Sequence, residues 1–163
     1  MNKNQSIYIF SQNIRSGKTS RLMQWLKYKK NIGGFLTPDV EGMRMLFDIS
    51  KQKMHPFQVA ETYAGPVVSI GRFRFAIATF NIGKDIIANA LPDLEWFIID
   101  EAGKLEIEQG EGFEPEVLRI IKCFQSGAMN GNLLLVVRDT LLAKAIEKYD
   151  LQGCVILNND LLL

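Results

Sequence analysis

The run Gln12–Thr19 combines residue types and spacing that suit the binding of a polyphosphate. It fits the phosphate-loop pattern G-x-x-x-x-G-K-[ST] at every defined position except the first, where Gln12 stands in place of glycine. Such a loop joins a buried strand to a helix, so unpaired backbone N–H groups converge where the helix dipole favours an anion. Gly17 permits close approach of the backbone, Lys18 can reach the β- and γ-phosphates, and the Thr19 hydroxyl can ligate Mg²⁺.

This pattern predicts a nucleotide-binding segment that is continuous in sequence. Its residues are Asn13, Ile14, Arg15, Ser16, Gly17, Lys18, Thr19 and Ser20. Gln12 must adopt a conformation that glycine reaches with less strain, or the loop has a different shape. Arg15 either adds a cation near the phosphates or points to solvent. The alternative interpretation is an ordinary polar strand–helix loop with a solvated lysine.

A second half of the site is predicted at Asp100-Glu101, directly after the apolar run Trp96–Ile99. Ligands of open α/β sheets bind at the carboxyl ends of the strands, which is where this pair lies. Asp100 would hold Mg²⁺ together with Thr19. Glu101 points in a different direction because it is the next residue, so it can face the γ-phosphate and activate the attacking water. The alternative is an acidic turn after a strand.

Cations near the γ-phosphate would stabilise the charge that spreads over its oxygens in the transition state. Arg138 follows the apolar run Leu133–Val137 and is the first candidate for a catalytic cation, with Asp139 as its orienting partner. Lys104 is close enough in sequence to reach the same site. For each of them a solvated surface residue is the alternative.

The elements that must position these residues alternate between short apolar runs and amphipathic stretches, which predicts an α/β fold. We expect buried strands at Ile7–Phe10, Trp96–Ile99, Leu133–Val137 and Val155–Leu157. We expect helices from Lys18 to about Lys30, where Gly33-Gly34 would end the first of them, and at Asn81–Leu91, Pro115–Gln125 and Thr140–Tyr149.

Between the first two helices the pattern is β-like, and a β-rich insertion over about 33–80 is predicted within one domain spanning 1–163. Residues 39–42 read as a hairpin turn between strands at 35–38 and 43–49. Arg72, Phe73, Arg74 and Phe75 alternate cation and aromatic ring. Such interleaving can stack bases, but core packing beneath a wet face is the alternative that we favour.

Composition excludes several classes of protein. The chain has 163 residues, 47% hydrophobic and 23% charged, which is ordinary globular composition. A net charge of +1 gives no large field toward nucleic acid or anionic membranes, so neither is expected as a partner. Two cysteines and one histidine leave little material for a disulfide framework or a His/Cys zinc site. No secretory or membrane-spanning stretch is evident, and a cytoplasmic location is the expectation.

Four stretches resemble the small P-loop nucleoside-triphosphatases of the thermophilic and cancer-related nucleoside-triphosphatase type. They are Arg15–Thr19, Gly33–Pro38, Gly42–Ile49 and Ile98–Glu106, and the run Asp-Glu-x-Gly-Lys-x-Glu within the last is the most specific. The resemblance implies a RecA-like, mostly parallel sheet flanked by helices, with a β-hairpin-rich insertion. It also implies slow Mg²⁺-dependent hydrolysis of nucleoside triphosphates such as ATP or GTP. Lys18 and Thr19 would then bind phosphate and Mg²⁺, Asp100 would assist Mg²⁺, and Glu101 would activate water.

Two other functions stay open on the same core. In a nucleotide or small-molecule kinase, the insertion would hold an acceptor whose hydroxyl takes the place of water. In a nucleotide-binding module, the changes at Gln12 and Arg15 would leave little turnover. Base preference, physiological substrate and oligomeric state carry no local signature in the sequence.

Overall fold

The computed structural model describes residues 2–12 and 17–157 of the chain, and a mostly parallel sheet organises this part of it. The strands are β1 Ile7–Gln12, β2 Ile32–Leu36, β3 Asp39–Val40, β4 Met43–Asp48, β5 Lys53–Pro56, β6 Val67–Ile70, β7 Phe73–Ala76, β8 Trp96–Ile99, β9 Asn132–Arg138 and β10 Val155–Leu157. The sheet has the strand order β10-β1-β9-β8-β2-β4-β3, with β5 beside β4. Neighbours from β10 to β2 pair in parallel, and the strands beyond β2 are antiparallel. The predicted α/β class is confirmed.

Successive residues of the central strands point to opposite faces, and both faces are covered. Ile7 and Ile9 of β1 belong to one apolar cluster and Phe10 belongs to the other. This double burial explains why the parallel strands are near-continuous apolar runs rather than alternating ones. The apolar runs therefore predict where these strands end, and so which polar residues lie at the edge of the sheet.

Helices cover the two faces unequally. The bounds are α1 Lys18–Leu26, α2 Ile77–Ala88, α3 Lys104–Ile107, α4 Glu116–Ser126 and α5 Leu142–Lys148, the last preceded by a 3₁₀ turn at Asp139–Leu141. Leu22 and Trp25 of α1 pack on one face, while residues of α2 to α5 pack on the other. Within the described residues, no helix is both long and apolar enough to cross a bilayer.

Two of the predicted helices have different bounds in the structure. The first ends at Leu26 rather than near Lys30, and the second begins at Ile77 rather than Asn81. Gly33 and Gly34 do not end a helix, because both lie inside strand β2. Gly34 has φ +97°, and a Cβ there would come 1.9 Å from the carbonyl oxygen of Ile98. Glycine is required at this point because β2 approaches β8 too closely for a side chain.

The β-rich block begins with a core strand rather than with an inserted one. Strand β2 pairs in parallel with β8 and so belongs to the central sheet, and the antiparallel strands appended to that sheet come after β2 in the chain. Of the predicted turn at 39–42, Asp39 and Val40 form strand β3, and only Glu41 and Gly42 turn the chain between β3 and β4 of the first hairpin. A second hairpin, β6 (Val67–Ile70) and β7 (Phe73–Ala76), forms a separate two-stranded sheet. Phe57 contacts the ring of Phe75 in this second hairpin and the ring of Phe80 in α2.

Candidate active site

The floor of the site forms where helix α1 begins beside the end of strand β8. Gly17 precedes α1 with φ +82°, a backbone conformation that suits glycine. The Thr19 hydroxyl in the first turn of α1 donates to Asp100 Oδ2 over 2.8 Å. The backbone N–H of Thr37, just beyond β2, donates to the same oxygen over 2.9 Å. Three segments far apart in sequence therefore meet at one carboxylate.

Asp100 is almost completely buried, with 1% of its surface exposed. Burial raises the pKa of this carboxyl, and the negative charge of Glu101 beside it raises the pKa further. The hydrogen bonds from Thr37 and Thr19 act in the opposite direction. A buried carboxylate that lacks a full counter-charge is suited to receiving a cation.

Glu101 turns away from Asp100 because its backbone leaves the extended conformation. Its φ is +64°, which is uncommon for a residue with a side chain and is often found at functional sites. Arg44 Nη1 lies 2.8 Å from Glu101 Oε2, and Arg138 Nη2 lies 3.4 Å from Glu101 Oε1. Each oxygen of the carboxylate is thus held by a different arginine.

Arg44 reaches the site from strand β4 of the first hairpin. Besides Glu101, its Nη1 donates to the carbonyl oxygen of Thr37 over 3.2 Å. Arg44 thereby ties the hairpin both to the end of β2 and to the acidic pair. The sequence patterns do not predict Arg44 as a site residue. A single arginine within the mostly apolar strand Met43–Asp48 was the available signal, but the pairing that brings it to Glu101 is long-range.

Lys18 lies on the same cleft as the acidic pair. Partial burial lowers the pKa of its ammonium, and Arg138 acts in the same direction. The negative charges of Glu101 and Asp100 oppose that change. These mutual interactions place Lys18, both carboxylates and Arg138 in one electrostatic cluster.

A cavity of about 690 Å³ opens above this cluster. That volume falls within the range of small-ligand sites, which is roughly 300–1,000 Å³. Gly17, Thr19, Ser20 and Lys104 line it, as do both arginines, and its remaining wall is rich in aromatic residues. The predicted site residues from 17 to 20 are therefore brought together with Asp100, Glu101 and Arg138. The predicted contacts Asn13, Ile14, Arg15 and Ser16 lie outside the described residues.

Glu106 has a structural part in the segment that follows the acidic pair. Its buried carboxylate accepts the N–H of Gly103 over 2.9 Å and that of Phe113 over 3.0 Å. Burial raises its pKa. The first bond fixes the loop between Glu101 and α3, and the second ties the segment after α3 to that helix. Asp139, expected to orient Arg138, accepts instead from the backbone N–H of Thr140 over 2.8 Å.

The donor set fits a magnesium ion held jointly with phosphate oxygens. Mg²⁺ usually takes one or two protein ligands and fills its remaining positions with water and substrate phosphate. Thr19 and Asp100 supply a hydroxyl and a carboxylate oxygen that lie 2.8 Å apart. Over residues 2–12 and 17–157, no group of three or more His, Cys, Asp or Glu side chains forms a dedicated metal cage.

The chain matches a protein-family model over most of its length. The model of the NTPase_1 family, described as NTPase, matches residues 9–156. The chain belongs to this family. It is thus a member of a nucleoside-triphosphatase family, as the sequence resemblance predicted.

Two solved structures share the fold. The crystal structure of THEP1 from the hyperthermophile Aquifex aeolicus aligns with a TM-score of 0.71 at 19% identity, covering 93% of this chain and 88% of that one. The solution structure of a human cancer-related nucleoside triphosphatase aligns with a TM-score of 0.65 at 18% identity, covering 94% and 88%. No curated protein matched the sequence.

Proposed function

We propose that the protein hydrolyses nucleoside triphosphates such as ATP or GTP to the diphosphate and phosphate, in a Mg²⁺-dependent reaction at the Lys18–Glu101 cleft. One observation carries the proposal: Thr19, Asp100 and Glu101 lie at one cleft with Lys18 and two arginines. Phosphoryl transfer needs positioning and stabilisation of charge more than covalent chemistry, and this set supplies both.

The phosphate chain would bind along the start of α1. The N–H groups of the first helical turn and the Lys18 ammonium would hold the β- and γ-phosphates. Lys18 is well suited to this contact because the negative charges of Glu101 and Asp100 already favour its protonated form, and a bound phosphate would favour that form further. Thr19 and Asp100 would hold Mg²⁺, which when bound neutralises charge on the β- and γ-oxygens.

Glu101 would accept a proton from the attacking water. The water oxygen forms the new bond to the γ-phosphorus, and the bond between that phosphorus and the β-bridging oxygen breaks with its electron pair leaving on the diphosphate. Arg44 and Arg138 fix the direction of the Glu101 carboxylate. The Arg138 guanidinium would also stabilise the negative charge that grows on the equatorial oxygens of the γ-phosphoryl group.

Release of phosphate from ATP, GTP, CTP and UTP by wild type and two variants tests the proposal. Lys18→Ala should abolish nucleotide binding, measured by calorimetry with a non-hydrolysable triphosphate. Glu101→Gln should retain that binding and lose hydrolysis by about 10²–10⁴-fold, the usual contribution of a general base. Lys27→Ala and Glu111→Gln, which change exposed residues of the same types away from the cleft, serve as controls.

Two outcomes would contradict this assignment. Hydrolysis by Glu101→Gln at the wild-type rate would show that Glu101 does not activate water. Tight binding by wild type without turnover over many hours would favour a nucleotide-binding module instead.

A further inference from the structure

The cavity beside Glu101 also extends under the β6–β7 hairpin, where Ile70, Arg72, Phe73 and Phe75 line it, and this part of the cavity is called the hairpin compartment. Arg44, which contacts Glu101, is joined to Gln58 by two hydrogen bonds: the Gln58 N–H donates to the Arg44 carbonyl over 2.8 Å, and the Arg44 N–H donates to Gln58 Oε1 over 3.1 Å. Gln58 in turn forms a β-bridge with Phe75 of β7. This chain of contacts places the hairpin on the Arg44 side of Glu101.

The tip of the hairpin presents a ring and a planar cation to the cavity. Phe73 is 40% exposed, although core packing was expected for it, and the Arg72 guanidinium lies 5.0 Å from the centre of its ring. Ile70 and Phe75 extend this wall inward, and all four residues line the same cavity as Lys18 and Glu101. Exposed aromatic rings next to arginine are suited to stacking with a nucleobase.

The direction of the phosphate chain shows which molecule this compartment can receive. For Glu101 to act, it must face the attack side of the γ-phosphorus. In-line displacement places the leaving diphosphate on the opposite side of that atom. The nucleoside of the bound triphosphate therefore extends away from Glu101. A ligand under the β6–β7 hairpin lies on the attack side and is a second molecule.

We propose that this compartment binds a nucleoside as phosphoryl acceptor, and that the protein transfers the γ-phosphoryl group to a hydroxyl of that nucleoside. The proposal rests on the proposed function, because it uses the same phosphate site. The acceptor oxygen forms a bond to the γ-phosphorus while the bond to the β-bridging oxygen breaks, and its electron pair leaves with the diphosphate. The hydroxyl proton passes to the Glu101 carboxylate. Hydrolysis is then the reaction in which water occupies the acceptor position.

The test follows the fate of labelled phosphate from γ-labelled ATP with Mg²⁺ and the full chain. Adenosine, guanosine, cytidine and uridine are the probes, and ribose, which has hydroxyls but no base, is the matched control. We expect labelled nucleoside monophosphate at ten or more times the yield of labelled ribose phosphate. A tetranucleotide with a free 5′-hydroxyl is tested beside them, because the end of an oligonucleotide offers the same base and hydroxyl as a free nucleoside. Comparing the two yields shows which of these acceptors the protein uses.

Variants locate the acceptor site. Phe73→Ala should lower the ratio of transfer to hydrolysis about tenfold, the effect expected from losing one stacking contact, and Phe73→Trp should restore it. Tyr28→Ala is the control, since Tyr28 is an aromatic residue that is 86% exposed and does not line the cavity. It should leave the ratio unchanged.

Three results would overturn the inference. One is Lys18-dependent release of phosphate with no labelled product from any nucleoside or from the tetranucleotide, which leaves the hydrolase assignment intact. Another is equal labelling of ribose and nucleosides, or a ratio that Phe73→Ala does not change. The third is phosphate release that survives Lys18→Ala, which removes the proposed function together with this inference.

Discussion

Replacing Arg44 by alanine separates the role of this arginine in turnover from any role in stability. Its ion pair with Glu101 spans 2.8 Å, but both side chains are 34% exposed. A pair with that exposure contributes at most about 1 kcal/mol to the free energy of unfolding. Arg44→Ala should therefore lower the melting temperature by no more than about 4 °C.

The effect on the rate should be much larger than the effect on stability. A positioned general base contributes about 10²–10⁴-fold, and Arg44 holds one of the two oxygens of that base while Arg138 holds the other. If each arginine accounts for half of the factor on a logarithmic scale, kcat should fall by roughly 10–100-fold. KM should change little, because Arg44 acts on the carboxylate more than on substrate binding.

A double-mutant cycle with Glu101→Gln provides the assay. Phosphate release is measured for wild type, both single variants and the double variant, with Arg44→Lys as the variant that keeps the charge. If Arg44 acts through Glu101, adding Arg44→Ala to Glu101→Gln should lower kcat by less than about threefold. A full 10–100-fold loss in the Glu101→Gln background would refute this reasoning, and so would an unchanged kcat in the single variant.

Three further predictions concern stability, each measured by thermal unfolding. Asp100→Asn should raise the melting temperature at pH 7. The pKa of Asp100 is raised in the fold, so the native state binds the proton more tightly than the unfolded state does and wild type loses stability as pH rises. The difference in melting temperature between the variant and wild type should therefore vanish as pH falls to about 4. Gly34→Ala should destabilise far more than Gly17→Ala, because both have positive φ but only Gly34 has backbone within 2 Å of the added Cβ; equal losses would contradict the close-approach argument. Tyr149→Phe should cost about 1–3 kcal/mol, since it leaves the buried Glu114 carboxylate without the hydroxyl that donates to it; a change below about 0.5 kcal/mol would show that this bond contributes nothing net.

The central sheet could be predicted from the sequence because its strands are buried on both faces. Runs such as Trp96–Ile99 and Leu133–Val137 have no solvent side, so their type and position follow from hydrophobicity alone. The polar residue that follows each run is then placed at the edge of the sheet. The same pattern predicts Asp100, Glu101 and Arg138 at one edge of the sheet, and Arg138 Nη2 lies 3.4 Å from Glu101 Oε1.

The appended hairpins could be predicted only in outline. Strand β2 contains two glycines, and its position beside β8 depends on backbone approach rather than on a side-chain pattern. Arg44 reaches Glu101 across 57 residues of sequence, a separation that periodicity does not address. Phe73 and Phe75 share one face of β7 and both line the cleft, yet Phe75 packs on Phe57 while Phe73 is 40% exposed. The local pattern does not show how much of that face is covered, because the covering residues come from other segments of the chain.

Strand β9, which lies between β1 and β8, acts as a spacer that fixes the width of the cleft. Adjacent strands are about 4.8 Å apart, so the strand before the phosphate loop and the strand before Asp100 stand about 10 Å apart. Main-chain hydrogen bonds set that gap, and side-chain substitutions leave it unchanged. Because main-chain bonds hold this spacing, it is retained when many side chains change, and the Aquifex protein shares the fold at 19% identity. We therefore expect changes in the molecule that is bound to come from the loops and hairpins at the rim.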